Sequence, residues 1–359
     1  MSGYFKNLKV VELAGVLAGP AVGTFFAELG ADVLKVENKR VGGDVTRGWR
    51  VNGESKSGPS AYYSSVNYRK KVFSCDLTTK ADLKELKNHI QNADMVVSNY
   101  LPRVAKKFQL DYDSIKTLNP QIIFLEVKGY EKEGRPAFDV VLQAETGWIS
   151  MTGTNKDHPA KLPVALIDVL AGHQLKEAAL LALLHRERTG EGSYSVCTLE
   201  KASLSALANQ ASNYLMAGKV AEPIGTAHPN IAPYGDWFES KDGFRFVLAI
   251  GSDAHFQKIT EIIEETALSD DERFRTNSSR VMNRTALIEQ LQAAFAMQNF
   301  GSLSAKMKDL GVPFGEIKSL DRVLEGQVAR ECVLSQMIEE KETYRMASVA
   351  FKSSFLDSI

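Results

Sequence analysis

The feature that most constrains the fold is an alternation of short apolar segments and amphipathic segments at the start of the chain. Residues 8–13 (LKVVEL) form a predicted buried strand, and residues 21–29 follow as a helix that an Ala-Gly-Pro turn opens. Residues 32–37 (DVLKVE) form a second predicted strand. A strand, a helix and a strand within about 30 residues have the size of a parallel βαβ unit.

The same alternation continues further along the chain. Predicted strands lie at residues 72–77, 95–98 and 121–127, and predicted helices lie at residues 80–91, 104–108 and 112–118. Short apolar strands that alternate with amphipathic helices pack as a parallel sheet with helices on both faces. The sequence therefore predicts an α/β fold whose large domain is a doubly wound, mostly parallel, Rossmann-like sheet.

Three later segments predict the domain organisation. Residues 41–67 are rich in Gly, Ser, Tyr and Asn without periodicity, which is typical of a long functional or interfacial loop. Residues 199–217 predict one long helical segment, and residues 236–250 predict a β-hairpin, with three helices after it, in a smaller α+β domain. We expect a large domain at residues 1–200 plus 321–359, a helical linker at 201–224 and the small domain at 225–320.

Size and composition limit the class of protein. A chain of 359 residues is too long for one ordinary core, which favours two domains. A net charge of −1 predicts no general attraction to nucleic acid, and no apolar run is long enough to cross a membrane. Three distant cysteines argue against a disulfide framework, and without a secretory signal we expect a cytoplasmic protein. The six histidines lack ligand spacing, so no metal site is expected.

The turn between the first strand and the first helix, residues 15–20 (GVLAGP), is the first candidate binding element. Such a turn offers free N–H groups to a phosphate or another anion, although a tight turn that only precedes a helix explains the residues equally well. The glycine spacing of a dinucleotide fingerprint and the Gly-Lys-Ser/Thr of a phosphate loop are both absent. Basic residues at 69–71 and 103–107 suit the phosphates of a large anion, but a solvated face is the commoner meaning of such clusters.

Asp168 is the candidate reactive residue. It stands alone between an apolar run and a helix whose predicted start lies at residues 170–174, where desolvation and the helix dipole both act on a carboxylate. The flanking residues by themselves favour a helix cap over a functional acid. His173 is either a partner that orients Asp168 or a polar residue of the first helical turns. No G-x-S-x-G elbow is present, so a serine hydrolase is not indicated.

Several stretches together resemble one family, the family III coenzyme A transferases of the CaiB/BaiF type, with the related acyl-CoA racemases. The matching segments are residues 10–37, 42–49, 98–112, 138–153, Asp168 in IDVLAG, 186–200, 224–243 and 311–320. They follow the family's order over nearly the whole chain, which is more specific than any single motif. The resemblance implies an interlocked homodimer, for which residues 41–67 and 199–217 are candidate contacts.

The resemblance implies that Asp168 is a covalent nucleophile. In this family the matching carboxylate attacks the thioester carbonyl of acyl-CoA, so an aspartyl-acyl anhydride and free CoA thiolate form before an aspartyl-CoA thioester. A carboxylate is a weak nucleophile that gains reactivity from partial desolvation and from a substrate held in line. The implied partners are an acyl-CoA and a small carboxylic acid, with coenzyme A as a substrate and no tightly bound cofactor.

The resemblance also assigns contacts with coenzyme A. The matching positions are Val16, Leu17, Ala18, Asn38, Leu77, Thr78, Asn99, Tyr100, Lys107, Arg135, Ala137 and Phe138. Asn38 replaces an Arg of the family, and Lys39 or Arg40 is the candidate substitute. Leu17 stands where members that use oxalate and formyl groups carry Gln, so those substrates are not expected.

Two alternatives stay open beside CoA transfer. A racemase or epimerase would use Asp168 with a His to exchange the proton α to the thioester carbonyl, but Phe138 occupies the position of that His. His158 or His173 would have to replace it. The second alternative is a catalytically silent CoA-binding homologue that acts as a regulatory or scaffold subunit.

Overall fold

The structure, a computed structural model, describes residues 3–132 and 135–357 of the chain. Its strands are β1 (Lys9–Leu13), β2 (Asp32–Asn38), β3 (Lys71–Cys75), β4 (Met95–Ser98), β5 (Ile123–Lys128), β6 (Ser193–Thr198), β7 (Tyr234–Glu239), β8 (Arg245–Ala249), β9 (Phe314–Glu316), β10 (Val333–Ile338) and β11 (Lys341–Met346). Its α-helices are α1 (Ala18–Glu28), α2 (Ala61–Ser65), α3 (Lys80–Gln91), α4 (Pro102–Phe108), α5 (Tyr112–Leu118), α6 (Asp139–Glu145), α7 (Trp148–Met151), α8 (Leu166–Thr189), α9 (Leu199–Ser205), α10 (Ala208–Ala217), α11 (Asp253–Ile262), α12 (Ala267–Asp270), α13 (Asn277–Met282), α14 (Arg284–Phe295), α15 (Phe300–Asp309), α16 (Leu320–Leu324), α17 (Gln327–Glu331) and α18 (Ser354–Asp357).

The first six strands form one sheet in the order β3-β2-β1-β4-β5-β6. Each neighbouring pair in this sheet is parallel. The chain runs outward from β1 to β3 and then continues on the other side of β1 with β4, so the strand order reverses between β1 and β4. The predicted doubly wound α/β sheet is confirmed. In such sheets ligands bind beyond the carboxyl ends of the strands at the point of reversal.

The core of this sheet lies on both of its faces. In β1, Val10 packs into the cluster that contains α1 and α8, whereas Val11 and Leu13 pack with α3 and α5 on the other face. The face of α8 that meets the sheet carries fully buried residues at a helical repeat: Ile167, Ala171, Leu175 and Ala179. Burial of each Leu or Ile side chain stabilises the fold by about 1.5–3 kcal/mol. This packing holds the N-terminal end of α8 against the sheet.

The N-terminus of α8 differs from the prediction. The helix begins at Leu166, before the predicted start at residues 170–174, and Ala165 occupies the N-cap position. Asp168 therefore lies inside the first helical turn, and its interpretation as a helix cap is wrong. Only the end of the preceding apolar run, Leu166 and Ile167, belongs to the helix, and Ile167 continues the stripe that α8 buries.

Two other segments contain structure that the local pattern does not show. Residues 41–67 include 3₁₀ turns and α2, which begins where the Ser60 hydroxyl accepts a hydrogen bond from the Tyr63 N–H at 2.9 Å. The segment 199–217 is two helices, α9 and α10, which a turn at residues 206–207 separates, and Ala208 directly after this turn has a φ of 45°. A positive φ cannot continue a right-handed helix.

The chain groups into two compact units, the first made of Met1–Trp148, Lys161–Val220 and Gln327–Ile359, and the second of Ile149–Ala160 and Ala221–Gly326. This grouping assigns residues 149–160, 201–224 and 321–326 differently from the expected segments. As limits of independently folding domains, the ranges 1–200 plus 321–359, 201–224 and 225–320 stay a prediction. The second unit contains the antiparallel sheet β7-β8-β9, which confirms the hairpin predicted at residues 236–250.

Two structural features are absent from the described ranges. None of their helices combines the length with the apolar character that a membrane span requires. They also contain no group of three or more His, Cys, Asp or Glu side chains that could hold a metal ion.

Candidate active site

A cavity of about 270 Å³ opens at the carboxyl edge of the parallel sheet, beside the reversal between β1 and β4. The turn after β1, the chain after β4, the end of β5 and the segment before α6 form its wall. Its lining includes most of the site residues predicted from the sequence: Val16, Leu17, Ala18, Asn99, Tyr100, Arg135, Ala137, Phe138 and Asp168. Lys128 and Gly129 also line the cavity and were missed, although they directly follow a strongly predicted strand.

The remaining predicted contacts lie outside the lining of this cavity. Asn38 ends β2, and Leu77 and Thr78 follow β3, so all three lie at the same carboxyl edge as the cavity but on the β3 side of β1. An elongated ligand that leaves the cavity along this edge passes them. Lys107 lies in α4, with its ammonium 5.2 Å from the ring centroid of Phe108.

The two candidate substitutes for the Arg missing at Asn38 differ in their partners. The Lys39 ammonium lies 2.6 Å from the Asp82 carboxylate. Arg40 is exposed, and in the described part of the chain its guanidinium forms no ion pair. The Asn38 side chain accepts the Arg40 N–H at 3.0 Å and caps the short turn that carries both cations. Arg40 is therefore the better candidate for a phosphate contact.

Asp168 is a buried carboxylate in the cavity wall, with 8% of the residue exposed. Burial, followed by the negative charge of Asp139, raises its pKa to about 7. Among the residues that the structure describes, none donates a hydrogen bond to this carboxylate and no cation pairs with it. The oxygens of Asp168 have thus lost hydration without a donor or cation among the described residues to replace it.

Asp139, the first residue of α6, ties two helix N-termini together and was not predicted. Its Oδ1 accepts the Ile167 N–H at 2.7 Å, and its Oδ2 accepts the Gln143 side-chain amide at 2.6 Å. The Gln143 carbonyl oxygen accepts the Leu162 N–H at 2.9 Å. Because Ile167 precedes Asp168, Asp139 both holds the first turn of α8 and places a second charge near Asp168. An acidic residue at a helix start is common, so the sequence alone did not distinguish it.

Tyr62 is a second neighbour that the sequence did not indicate, because it lies in α2 within the predicted loop. Burial, followed by the charges of Asp168 and Asp139, raises its pKa to about 12. Its phenol therefore keeps its proton at neutral pH and remains a hydrogen-bond donor in the neighbourhood of these carboxylates. The ring packs edge-on against Trp49, with the centroids 5.1 Å apart.

The turn after β1 is held by Asn99. The Asn99 Oδ1 accepts the Gly15 N–H at 3.2 Å, and its Nδ2 donates to the Gly15 carbonyl oxygen at 2.9 Å. Both ends of the amide therefore bind the turn. Val16 has a φ of 69°, an unusual conformation for a β-branched residue. Gly19 packs so closely on Ala14 that an added Cβ would lie 2.5 Å from the Cβ of Ala14, which explains the glycine at the start of α1.

The second base that a racemase needs is not found in the cavity. Its lining, as far as the structure describes it, contains no histidine, and Phe138 lines it with 52% of the residue exposed. His173 follows Asp168 by more than one helical turn and is not in the lining. His158 belongs to the second compact unit.

Comparisons with known proteins show the family of this chain. The model of CoA-transferase family III matches residues 5–358. The chain belongs to CoA-transferase family III. A succinate–glutarate CoA-transferase of Agrobacterium fabrum is 35% identical over 328 residues, which cover 89% of this chain and 81% of that protein. A succinyl-CoA:glutarate CoA-transferase of Mus musculus is 33% identical over 340 residues, 92% of this chain and 76% of that protein.

A solved structure has the same fold as this chain. A CaiB/BaiF family protein from Brucella suis is 34% identical, with a TM-score of 0.83 over 99% of this chain and 94% of that one. The resemblance inferred from the sequence is confirmed, and the protein is an enzyme of CoA transfer. The roles of Asp168 and of the individual CoA contacts are proposals, which follow.

Proposed function

We propose that this enzyme moves coenzyme A from an acyl-CoA donor to a carboxylate acceptor through a covalent intermediate on Asp168. The observation that carries the proposal is a buried carboxylate without a hydrogen-bond donor among the described residues, in the wall of a cavity at the reversal of the sheet. A carboxylate that has lost its hydration and gained no partner is activated for attack. Strongly perturbed acids in clefts are typical of functional sites.

Each displacement forms one bond and breaks another. Asp168 attacks the thioester carbonyl, the C–S bond breaks, and an aspartyl-acyl anhydride and CoA thiolate form. The thiolate attacks the aspartyl carbonyl, and the donor leaves as a carboxylate. The acceptor carboxylate then attacks the aspartyl-CoA thioester, and the released thiolate attacks the acceptor carbonyl of the new anhydride. Acyl-CoA product leaves, Asp168 is regenerated, and no net proton is consumed.

The residues around the cavity supply donors for the charge that develops on the carbonyl oxygens. Helix α1 begins in the cavity wall at Ala18, and the first N–H groups of a helix have no intrahelical acceptor. Such preorganised donors stabilise an oxyanion. Tyr62 is not in the cavity lining, and its phenol is a further candidate donor because it interacts with the charge of Asp168. Asp139 holds Ile167 and so keeps the nucleophile in place.

The acyl groups are proposed from the relatives. Two of them, at 35% and 33% identity, are named for succinate or succinyl-CoA and for glutarate. We propose short dicarboxylic acids as both donor and acceptor for this enzyme. Leu17, in place of the Gln of oxalate-using members, supports oxalate as a negative control.

The assembly is proposed as an interlocked homodimer in the cytoplasm. The end of α10 supports this, because it exposes three consecutive large apolar residues, Tyr214, Leu215 and Met216. Light scattering should give the mass of a dimer, and a monomer at micromolar concentration would contradict this part of the proposal.

The covalent step is tested by trapping. The protein is incubated with succinyl-CoA and then with hydroxylamine or borohydride. The mass of the peptide that contains Asp168 is then measured by mass spectrometry. We expect an adduct at Asp168 in the wild type and none in Asp168→Ala, which should also lose transfer to glutarate while it still binds CoA. Unchanged turnover of Asp168→Ala would refute the proposal.

The two alternatives give different results in the same experiment. A racemase would show no adduct and would incorporate deuterium at the carbon α to the thioester. A silent homologue would bind CoA and show neither adduct nor exchange with any acyl-CoA of a broad panel.

A further inference from the structure

A buried ion cluster lies behind the turn that forms one wall of the cavity. It consists of Glu12, Lys35, Asp44 and Lys70, whose side chains are almost completely excluded from solvent. The Lys35 ammonium lies 3.1 Å from Glu12 and 2.9 Å from Asp44, and the Lys70 ammonium lies 2.7 Å from Glu12. Buried ion pairs are weak evidence for stability, since desolvation opposes their attraction. The contacts that the cluster makes outside itself are therefore informative.

Asp44 and Lys35 connect the buried ion cluster to the turn. The Asp44 Oδ2, which binds Lys35, lies 3.2 Å from the Val16 N–H and accepts it. Lys35 donates to the Ala14 carbonyl oxygen at 2.9 Å. The carbonyl on one side of Gly15 and the amide on its other side are thus held by the two members of one ion pair.

The motif GGDVTRG at residues 42–48 delivers Asp44 to this position. Gly42 and Gly43 have φ values of 78° and 97°, which favour glycine. The other carboxylate oxygen of Asp44, Oδ1, accepts the N–H and the hydroxyl of Thr46 at 3.0 and 2.8 Å. The two oxygens of Asp44 therefore have separate tasks. Oδ1 caps the short turn Val45–Gly48, and Oδ2 accepts the Val16 N–H in the turn that lines the cavity.

Asp44 is ionised under working conditions. Burial alone would raise the pKa of its carboxyl, but the charge of Lys35 and the hydrogen bonds from Thr46 outweigh this and hold the pKa below its ordinary value. A charged acceptor binds a backbone N–H more strongly than a neutral one. This bond opposes the tendency of Val16, as a β-branched residue, to leave its positive φ.

The turn is also packed against the helix that carries Asp168. Gly172 of α8 approaches the start of α1 so closely that an added Cβ would lie 3.2 Å from the Ala18 carbonyl oxygen. Gly172 lies about one helical turn after Asp168. A rotation of the turn at Val16 therefore changes the cavity wall beside the reactive carboxylate.

We propose that Asp44 is a positioning residue for the CoA thioester, which acts through Val16 by holding the turn after β1 in the conformation that coenzyme A requires. The proposal rests on the proposed function, because it gives Asp44 a role in binding the substrate of that reaction. Asp44 is not among the residues that line the cavity. Its effect passes through the backbone from Val16 to Ala18, which lines the cavity.

The variant Asp44→Asn separates the two tasks of the carboxylate. Its remaining oxygen can still accept from Thr46, but its amide nitrogen would face two donors, the Val16 N–H and the Lys35 ammonium. Thr46→Val is the matched control, because it removes a buried hydrogen bond to Oδ1 and leaves Oδ2 in place.

Two measurements read the proposal directly. The rate of hydrogen–deuterium exchange in residues 14–19 reports how well the Val16 amide is protected. Titration calorimetry with CoA reports the affinity of the protein for CoA. In Asp44→Asn we expect exchange of this segment to quicken and CoA affinity to fall, each by about 10-fold, as the loss of one charge-assisted hydrogen bond predicts. KM for succinyl-CoA should rise more than kcat falls. Thr46→Val should leave both exchange in this segment and CoA affinity near wild type.

Several results would overturn the proposal. Exchange of the Val16 amide at the rate of a free peptide in the wild-type protein would do so without any variant. Faster exchange in Asp44→Asn with unchanged CoA affinity would show that the turn does not control binding. An equal loss of affinity in Thr46→Val would show a general structural effect. Failure of the proposed function is distinct, because a wild type that binds CoA but never labels Asp168 leaves these binding results standing.

Discussion

Asp44 and Asp168 are carboxylates of equal burial, at 9% and 8% exposed, with opposite surroundings. Burial alone would raise the pKa of Asp44, but its pairing with Lys35 and the hydrogen bonds from Thr46 hold that pKa below the ordinary value. Asp168 has no such partner among the described residues, and burial together with the charge of Asp139 raises its pKa to about 7. Depth alone therefore does not decide the chemistry of a buried acid. Its partners do.

The difference separates a carboxylate that holds structure from one that is open to react. Both oxygens of Asp44 are occupied by donors, so that side chain has no capacity for attack on a substrate. The oxygens of Asp168 border the cavity without donors from the described residues. A site of this kind opposes folding stability, as is common where function needs an unsatisfied group.

The largest effect should come from removing the cation that distinguishes the two carboxylates. Lys35→Met leaves Glu12 and Asp44 buried without it, and we expect the free energy of unfolding to fall by about 3–5 kcal/mol, as measured by urea denaturation. Lys39→Met, at the adjacent exposed pair with Asp82, is the control and should have little effect. If Lys35→Met were as stable as wild type, the ion pairs of Lys35 with Glu12 and Asp44 would not contribute to stability.

Neutralising each carboxylate in turn should change stability in opposite directions. Because the folded pKa of Asp168 is raised from 3.8 to about 7, its contribution to stability is present below pH 3.8 and is lost as the pH rises through about 7. Asp168→Asn removes this titration. Relative to wild type, the variant should therefore be more stable at pH 8 than at pH 5, with a difference of about 2–3 kcal/mol in the free energy of unfolding.

Asp44→Asn should have the opposite sign. The folded pKa of Asp44 is lowered, so its carboxylate contributes stability above its unfolded pKa of 3.8 and loses it only as the pH falls through the folded value. The variant should therefore be less stable than wild type at both pH 5 and pH 8. If Asp168→Asn also lost stability equally at the two pH values, the contrast between the carboxylates would be wrong.

The smallest effect should be a shift in the pH dependence of the reaction. If Asp168 attacks as a carboxylate, kcat/KM should rise with pH and level off above about 7. Asp139→Asn removes the negative charge that contributes to the raised pKa, so the midpoint of this rise should move to lower pH. Asp113→Asn, an exposed acid in the first turn of α5, is the control. A midpoint that stays in place would exclude the charge of Asp139 as a cause.

The sequence by itself determined most of the first unit. The helices α3 and α5 and the strand β4 have the bounds that their periodicity predicts, because each depends on residues a few positions apart. The order of alternation also predicted the parallel sheet, whose carboxyl edge gathers the chain ends that follow β1, β4 and β5. The family pattern predicted Asp168 and the turn at Val16–Ala18 as site residues, and all of them line one cavity.

Only the tertiary structure decided what those residues experience. The burial of Asp168, its exclusion from every described donor and the charge of Asp139 arise where α6 and α8 begin side by side, from segments distant in sequence. The pairing of Asp44 with Lys35 likewise joins a glycine-rich loop to the neighbouring strand. Local patterns cannot specify these relations, because desolvation and Coulomb attraction depend on distance in space. Two aspartates that are alike in composition are therefore made different by their neighbours.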